Sequence, residues 1–125
     1  EKTTVRDNMI SNNYCGGMVS FNDCGAHAGS NNQFLDNIVY FQDKKGRFGL
    51  RLIDGSKNAK VKGNVLICGK GPALEIDKKS ISGLKSDNNI FFVHGNEKPI
   101  KLGWKRLSLE QWQNKTKQDE NSSVL

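Results

Sequence analysis

The amino-acid sequence predicts an all-β fold, a right-handed parallel β-helix of about four coils closed by a short C-terminal α-helix. Three observations carry that expectation. VRDNMI (Val5 to Ile10), FLDNIV (Phe34 to Val39) and VKGNVL (Val61 to Leu66) each set an asparagine before two apolar residues. Aligned on Asn8, Asn37, Asn64 and then Asn89 of DNNIFF, the repeats step by 29, 27 and 25 residues, periods typical of solenoids. The apolar segments are short and β-branched, with Gly, Asn, Asp and Ser between them, and no amphipathic stretch of about ten residues interrupts them before Leu102.

Each element follows from this repeat. Residues 1–104 form the coils and residues 105–125 a helix and tail that cap the last one. Within a coil the asparagine marks a corner where stacked amides bond to one another and to the bent backbone, and the residue two places later points inward. A second apolar segment follows each corner: GGMVSF (Gly16 to Phe21), FGLRLI (Phe48 to Ile53), PALEI (Pro72 to Ile76) and KPIKL (Lys98 to Leu102). Every coil thus holds at least two strands. With Val19, Leu50, Leu74 and Ile100 inward, and Phe21, Leu52, Ile76 and Leu102 with them, strand alternation turns Ser20, Arg51, Glu75 and Lys101 outward as one ladder. Parallel strands lie roughly 4.8 Å apart, so Glu75 falls between Arg51 and Lys101. That arrangement serves either as an exposed ion-pair ladder or as a charged groove for an anionic polymer.

In the tail, Ser108 and Gln111 have the spacing of a capping box, and Leu109 with Trp112 supplies an apolar stripe to cover the last coil. Trp104 and Trp112 are read first as packing between cap and core, with sugar-stacking platforms as the alternative.

Composition narrows the function. A chain of 125 residues, 35% hydrophobic, builds one domain around one core. No run nears the roughly 18 apolar residues of a membrane span, and no secretory signal opens the sequence. The net charge of +6 suits an anionic partner. The basic residues are dispersed, with one aromatic-containing cluster at KLGWKR (Lys101 to Arg106), which gives nucleic acid little support. Cys15, Cys24 and Cys68 lack metal-site spacing and read as buried or inert thiols, a Cys15–Cys24 bridge being the rival. No cofactor motif and no Asp-rich calcium loop is present, so neither a metal nor a cofactor is expected. His27 and His94 sit in Gly-rich loops at unrelated positions and read as surface residues rather than general bases. Glu75 with Asp77 or Asp54 is the candidate carboxylate pair, though Asp43 and Asp54 read more simply as turn formers.

The repeat, together with the tail residues Asp87, Asn89, Phe91, Phe92, Trp112, Gln118, Asp119 and Ser122, resembles right-handed parallel β-helix proteins of the pectate-lyase-like superfamily. The resemblance covers essentially the whole chain and its tail motif most specifically. It implies late coils and the cap of a bacterial carbohydrate-active protein, a lyase, epimerase or glycoside hydrolase of acidic polysaccharide, secreted or periplasmic. In lyase chemistry a base removes the proton α to a uronate carboxylate while cations hold the enolate. The residues that would bind substrate are Arg51, Glu75, Lys101 and Trp104, and no catalytic residue is identifiable.

The other class is a non-catalytic assembly module. Val5, Met9, Ile10 and Met18 belong to a first coil with no cap ahead of it. A bare strand edge is expected to be covered, by a second copy packing end to end if the chain is complete or by an upstream coil if it is a fragment.

Overall fold

The computed structural model describes residues 2–22 and 29–125. Strands are laid down in threes. The first rung has β1 (Thr4–Arg6), β2 (Met9–Ser11) and β3 (Met18–Ser20); the second β4 (Gln33–Leu35), β5 (Ile38–Tyr40) and β6 (Leu50–Leu52). The third has β7 (Lys60–Lys62), β8 (Val65–Cys68) and β9 (Leu74–Ile76), and the fourth β10 (Lys85–Asp87), β11 (Ile90–Val93) and β12 (Ile100–Leu102). Then come β13 (Lys105–Leu107), α1 (Leu109–Thr116) and β14 (Ser123–Val124). Corresponding strands pair in parallel, giving a first sheet β1-β4-β7-β10, a second β2-β5-β8-β11-β14 and a third β3-β6-β9-β12-β13. The fold is a parallel β-solenoid of about three turns, not four. Four asparagines mark four rungs, which are separated by only three full intervals.

The first sheet supplies a third strand per coil, built from the residues just before each corner asparagine. Its strands carry a single inward side chain each, Val5, Phe34, Val61 and Ser86 in register. The second sheet turns Ile10, Val39, Leu66 and Phe91 inward, and the third stacks Leu50 and Leu52 on Leu74 and Ile76 and these on Ile100 and Leu102. From the second rung onward nearly all of these are buried, each apolar one contributing about 1.5–3 kcal/mol. In the first rung Val5 and Ile10 occupy the same columns but remain partly exposed.

The corner ladder runs the length of the solenoid. The backbone N–H and side-chain Nδ2 of Asn8 both donate to Asn37 Oδ1, at 3.1 and 3.0 Å. Asn37 donates in the same way to Asn64 Oδ1, and Asn64 to Asn89 Oδ1. The second proton of each Nδ2 reaches back to a carbonyl of the preceding rung, Val5 O from Asn37, Phe34 O from Asn64 and Val61 O from Asn89. Ahead of each ladder residue the backbone is left-handed, at Asp7, Asp36, Gly63 and Asn88 with φ of 57°, 55°, 70° and 55°. These are the residue types that tolerate that conformation. Gly63 has a second reason to lack a side chain, because Asp36 Oδ1 fills the space its Cβ would take.

One register differs from expectation. Met18 and Ser20, not Val19 and Phe21, face inward, since Met18 pairs with Leu50 and Ser20 with Leu52. Val19 therefore takes the outward place assigned to Ser20, and Val19 and Phe21 are about half exposed. Close packing overrides the hydrophobic pattern here: a Cβ on Gly17 would collide with Gly49 O, so Gly17 must stack on Gly49, and Met18 N–H then donates to that carbonyl. Ser20 is tolerated inside because its hydroxyl donates to Gly29 O and accepts from Asn32 Nδ2.

At the far end every sheet is covered. β13 pairs antiparallel with β12, β14 extends the second sheet, and Gln118 to Asn121 line β10. The helix starts on the expected capping box, with Gln111 N–H donating to Ser108 Oγ and Ser108 N–H to Gln111 Oε1. It buries Trp112 completely, whose Nε1 donates to Asp119 Oδ2 at 2.8 Å. Asp119 Oδ1 accepts from Asn89 Nδ2 and from Ser122 Oγ, while Asn89 N–H donates to Ser122 Oγ, so the ladder ends on a buried carboxylate and a hydroxyl.

Replacing Asn64 with Leu strands the polar groups of Asn37, Asn89 and Phe34, and should cost on the order of 3 kcal/mol in urea unfolding. Asn8→Leu, at the solvent-facing end, should cost under about 1 kcal/mol. A second expectation concerns acid. Asn121, through its side chain and then its backbone, holds the Asp87 carboxyl below the usual carboxylate range. The folded value lies below the unfolded one, so this stabilisation is present above the ordinary carboxylate pKa and disappears as pH falls through the depressed value. NMR of Ser123 and Val124 should report the tail loosening in that acid window, and Asp87→Asn should abolish the pH dependence.

Candidate functional site

The outward column of the third sheet is the best-formed surface feature. Arg51 on β6 pairs in register with Glu75 on β9, and Glu75 with Lys101 on β12. Arg51 Nε lies 2.8 Å from Glu75 Oε2 and Lys101 Nζ 3.5 Å from Glu75 Oε1. The expected order of charges is present, with Val19 at its open end and Arg106 opposite Lys101 across β12 and β13. Arg51 also lies over the Phe48 ring, 4.2 Å from its centroid. Burial lowers the Arg106 guanidinium, with the Glu75 carboxylate opposing, and its Nε donates to Lys98 O. An arginine stays cationic under such a shift.

Trp104 corrects the packing expectation. Trp112 is buried, but Trp104 is 94% exposed. It follows β12 in a turn where Gly103 has φ of 61°, and the ring stands 5.7 Å from Lys101 Nζ, within cation–π range. The turn passes beside the aliphatic stem of Lys78, about 3.5 Å from where a Gly103 Cβ would sit.

These residues bound one cleft. Glu75, Asp77, Lys78, Lys79, Lys101, Gly103 and Trp104 line a volume of about 350 Å³. Lys78 and Lys79 also border a neighbouring cleft of about 460 Å³, with Lys57, Asn22 and Ser30. The two make a basic groove along the corner beyond the third sheet, crossing successive rungs. The lysine pair was not anticipated as part of the site. Its signal was in IDKKSIS (Ile76 to Ser82), where two lysines follow the strand immediately. Asp77 is tied down as a corner former, accepting from Ser80 N and Asp54 N, and Asp54 lies in a left-handed turn. Glu75 and Asp77 do not form a free carboxylate dyad, because Glu75 meets a cation at each oxygen.

The remaining candidates lie elsewhere. The partly buried His94 stacks edge-on against Phe92 at 4.9 Å. His27 and Cys24 fall outside the described residues. Cys68 is buried, donates to Gly46 O and has its thiol pushed up by burial, whereas Cys15 is an exposed free thiol. No described helix is long and apolar enough to cross a membrane. Compared with protein-family models, curated proteins and solved structures, the chain matches none.

Glu75→Ala removes both ion pairs and leaves two cations adjacent. The pairs are partly solvated and Arg51 keeps its place on Phe48, so urea unfolding should shift by no more than about 1 kcal/mol.

Proposed function

We propose that the third-sheet face and its adjoining groove bind an acidic polysaccharide, as the resemblance to pectate-lyase-like β-helix proteins implies. The observation that carries this reading is the exposed Trp104 ring beside Lys101, Lys78 and Lys79. An indole face offers an apolar platform to the C–H side of a sugar, and ammonium groups around it match a carboxylate on that sugar. Glu75 acts as a clamp: by holding Arg51 and Lys101 in one column it presents them as a fixed cationic strip. Lys78 and Lys79, just past the end of β9, widen that strip at the corner beside Glu75.

The reading is one of binding. A lyase, epimerase or hydrolase would also need a general base or acid poised over the strip, and Glu75 and Asp77 are already engaged.

Calorimetry with oligogalacturonate tests this against a neutral oligosaccharide of the same length. Acidic oligomers should bind and neutral ones should not, with affinity falling as salt rises. Trp104→Ala should weaken binding about ten-fold, ~1.4 kcal/mol, and Lys78→Gln with Lys79→Gln should flatten the salt dependence. Equal binding of both sugars, or an unchanged affinity without Trp104, refutes the proposal. Turnover of polyuronate by this chain alone, lost in Arg51→Ala and Lys101→Ala, would replace it with a catalytic reading.

A further inference from the structure

The asparagine ladder has a direction. In every step the upper residue donates two protons and the lower one accepts them at Oδ1, so all the side-chain amides point the same way. At the C-terminal end the last Nδ2 meets the Asp119 carboxylate. At the other end Asn8 Oδ1 faces outward, and among the described residues no donor reaches it. The two ends are chemically opposite: one is closed by an acceptor, the other presents an acceptor.

The same end is unfinished in two further respects. β1, β2 and β3 are the terminal strands of all three sheets, each with one edge unpaired among the described strands. Val5 and Ile10, whose counterparts in the next rung are buried, are only partly covered. Strand edges and an open core cross-section of this kind are surfaces for further pairing.

We infer that this end face docks a further parallel β-coil stacked in the same winding sense, whose corner residue donates to Asn8 Oδ1. Complementarity of donors and acceptors selects that occupant over a second copy of this chain. A second copy placed head to head would bring its own Asn8 end, acceptor against acceptor, with its strands antiparallel. Placed head to tail it would have to pair through an end already covered by β13, β14 and Asp119. A coil of the same kind supplies what is missing at each point: an Asn N–H and Nδ2 for Asn8, parallel edges for β1, β2 and β3, and inward side chains over Val5 and Ile10.

The test replaces Glu1 with a copy of the chain's own residues 31–57 joined directly to Lys2, which keeps the strand register of the second rung. The added coil should raise the thermal midpoint by roughly 5 °C and slow hydrogen exchange across β1, β2 and β3 at least ten-fold. Substituting Ala or Ser for the asparagine that the copy takes from position 37 should lose most of the shift with Ala and less with Ser, whose hydroxyl can still donate to Asn8 Oδ1. An added coil that leaves the midpoint and exchange rates unchanged overturns the inference. So does an unmodified chain that sediments as a dimer at micromolar concentration and becomes monomeric with Met18→Lys.

Discussion

The buried amide ladder is the constraint on which the rest of the molecule depends. Asn37, Asn64 and Asn89 are essentially removed from solvent, where an unpaired amide costs about 1–3 kcal/mol for each group left without a partner. Each amide is satisfied only if the asparagines of adjacent rungs stack directly. A slip of one residue would put Gly63 or Val65 opposite Asn37 and leave its polar atoms facing carbon, besides turning the inward side chains of that rung out. The coils differ in length, with steps of 29, 27 and 25 residues, yet the ladder holds them in phase because loops elsewhere absorb the difference. The ion-pair column on the third sheet inherits this phase: Arg51, Glu75 and Lys101 meet because Asn37, Asn64 and Asn89, earlier on the same rungs, have already met.

A chain of aligned amides polarises itself, each bond strengthening the next, and so its two ends cannot be alike. The tail answers one of them. Asp119 receives the last amide, the Trp112 indole and the Ser122 hydroxyl, and Gln113 Nε2 donates to its backbone carbonyl. A helix is well suited to this task because it brings Trp112 over the core and places Asp119 seven residues later, past the left-handed Lys117, under the corner. Cap and ladder are one hydrogen-bonded unit rather than a lid resting on a core.

How far the sequence disclosed this depends on which physical effect dominated at each point. Stacking leaves a period, and Asn8, Asn37, Asn64 and Asn89 were legible for that reason. The capping box at Ser108 and Gln111 was legible because its chemistry is local. The first-sheet strands were not, because three residues with one inward side chain, as in Lys60–Val61–Lys62, show no alternation that distinguishes them from a turn. At Met18 to Phe21 the apolar pattern favoured Val19 and Phe21 inside, while the contact of Gly17 with Gly49, invisible in one dimension, decided the opposite. In the site, Arg51, Glu75 and Lys101 followed from alternation. The exposure of Trp104 and the participation of Lys78 and Lys79 depend on a turn geometry that composition does not encode.

A fold held by its interior frees its exterior. Inward positions and corners consume the apolar residues, the glycines and the asparagines, so what faces outward on the third sheet is under no packing demand. Like charges stacked at rung spacing repel, and the simplest relief is alternation, which Arg51, Glu75 and Lys101 adopt. In that column Arg51 and Lys101 share the single Glu75 carboxylate, so alternation leaves it only weakly cationic. What departs from it is the corner next to the stripe, where Lys78 and Lys79 stand beside Lys101 and Lys57 borders the next cleft. Trp104 departs further still, a large apolar ring left in solvent by a chain that buries its other tryptophan completely. Neither feature stabilises the solenoid, since exposed like charges oppose folding and an exposed indole forgoes the burial that would have contributed a few kcal/mol. On the proposed reading both acquire a physical reason: an anionic ligand with an apolar face lying across them would neutralise the lysines and cover the ring.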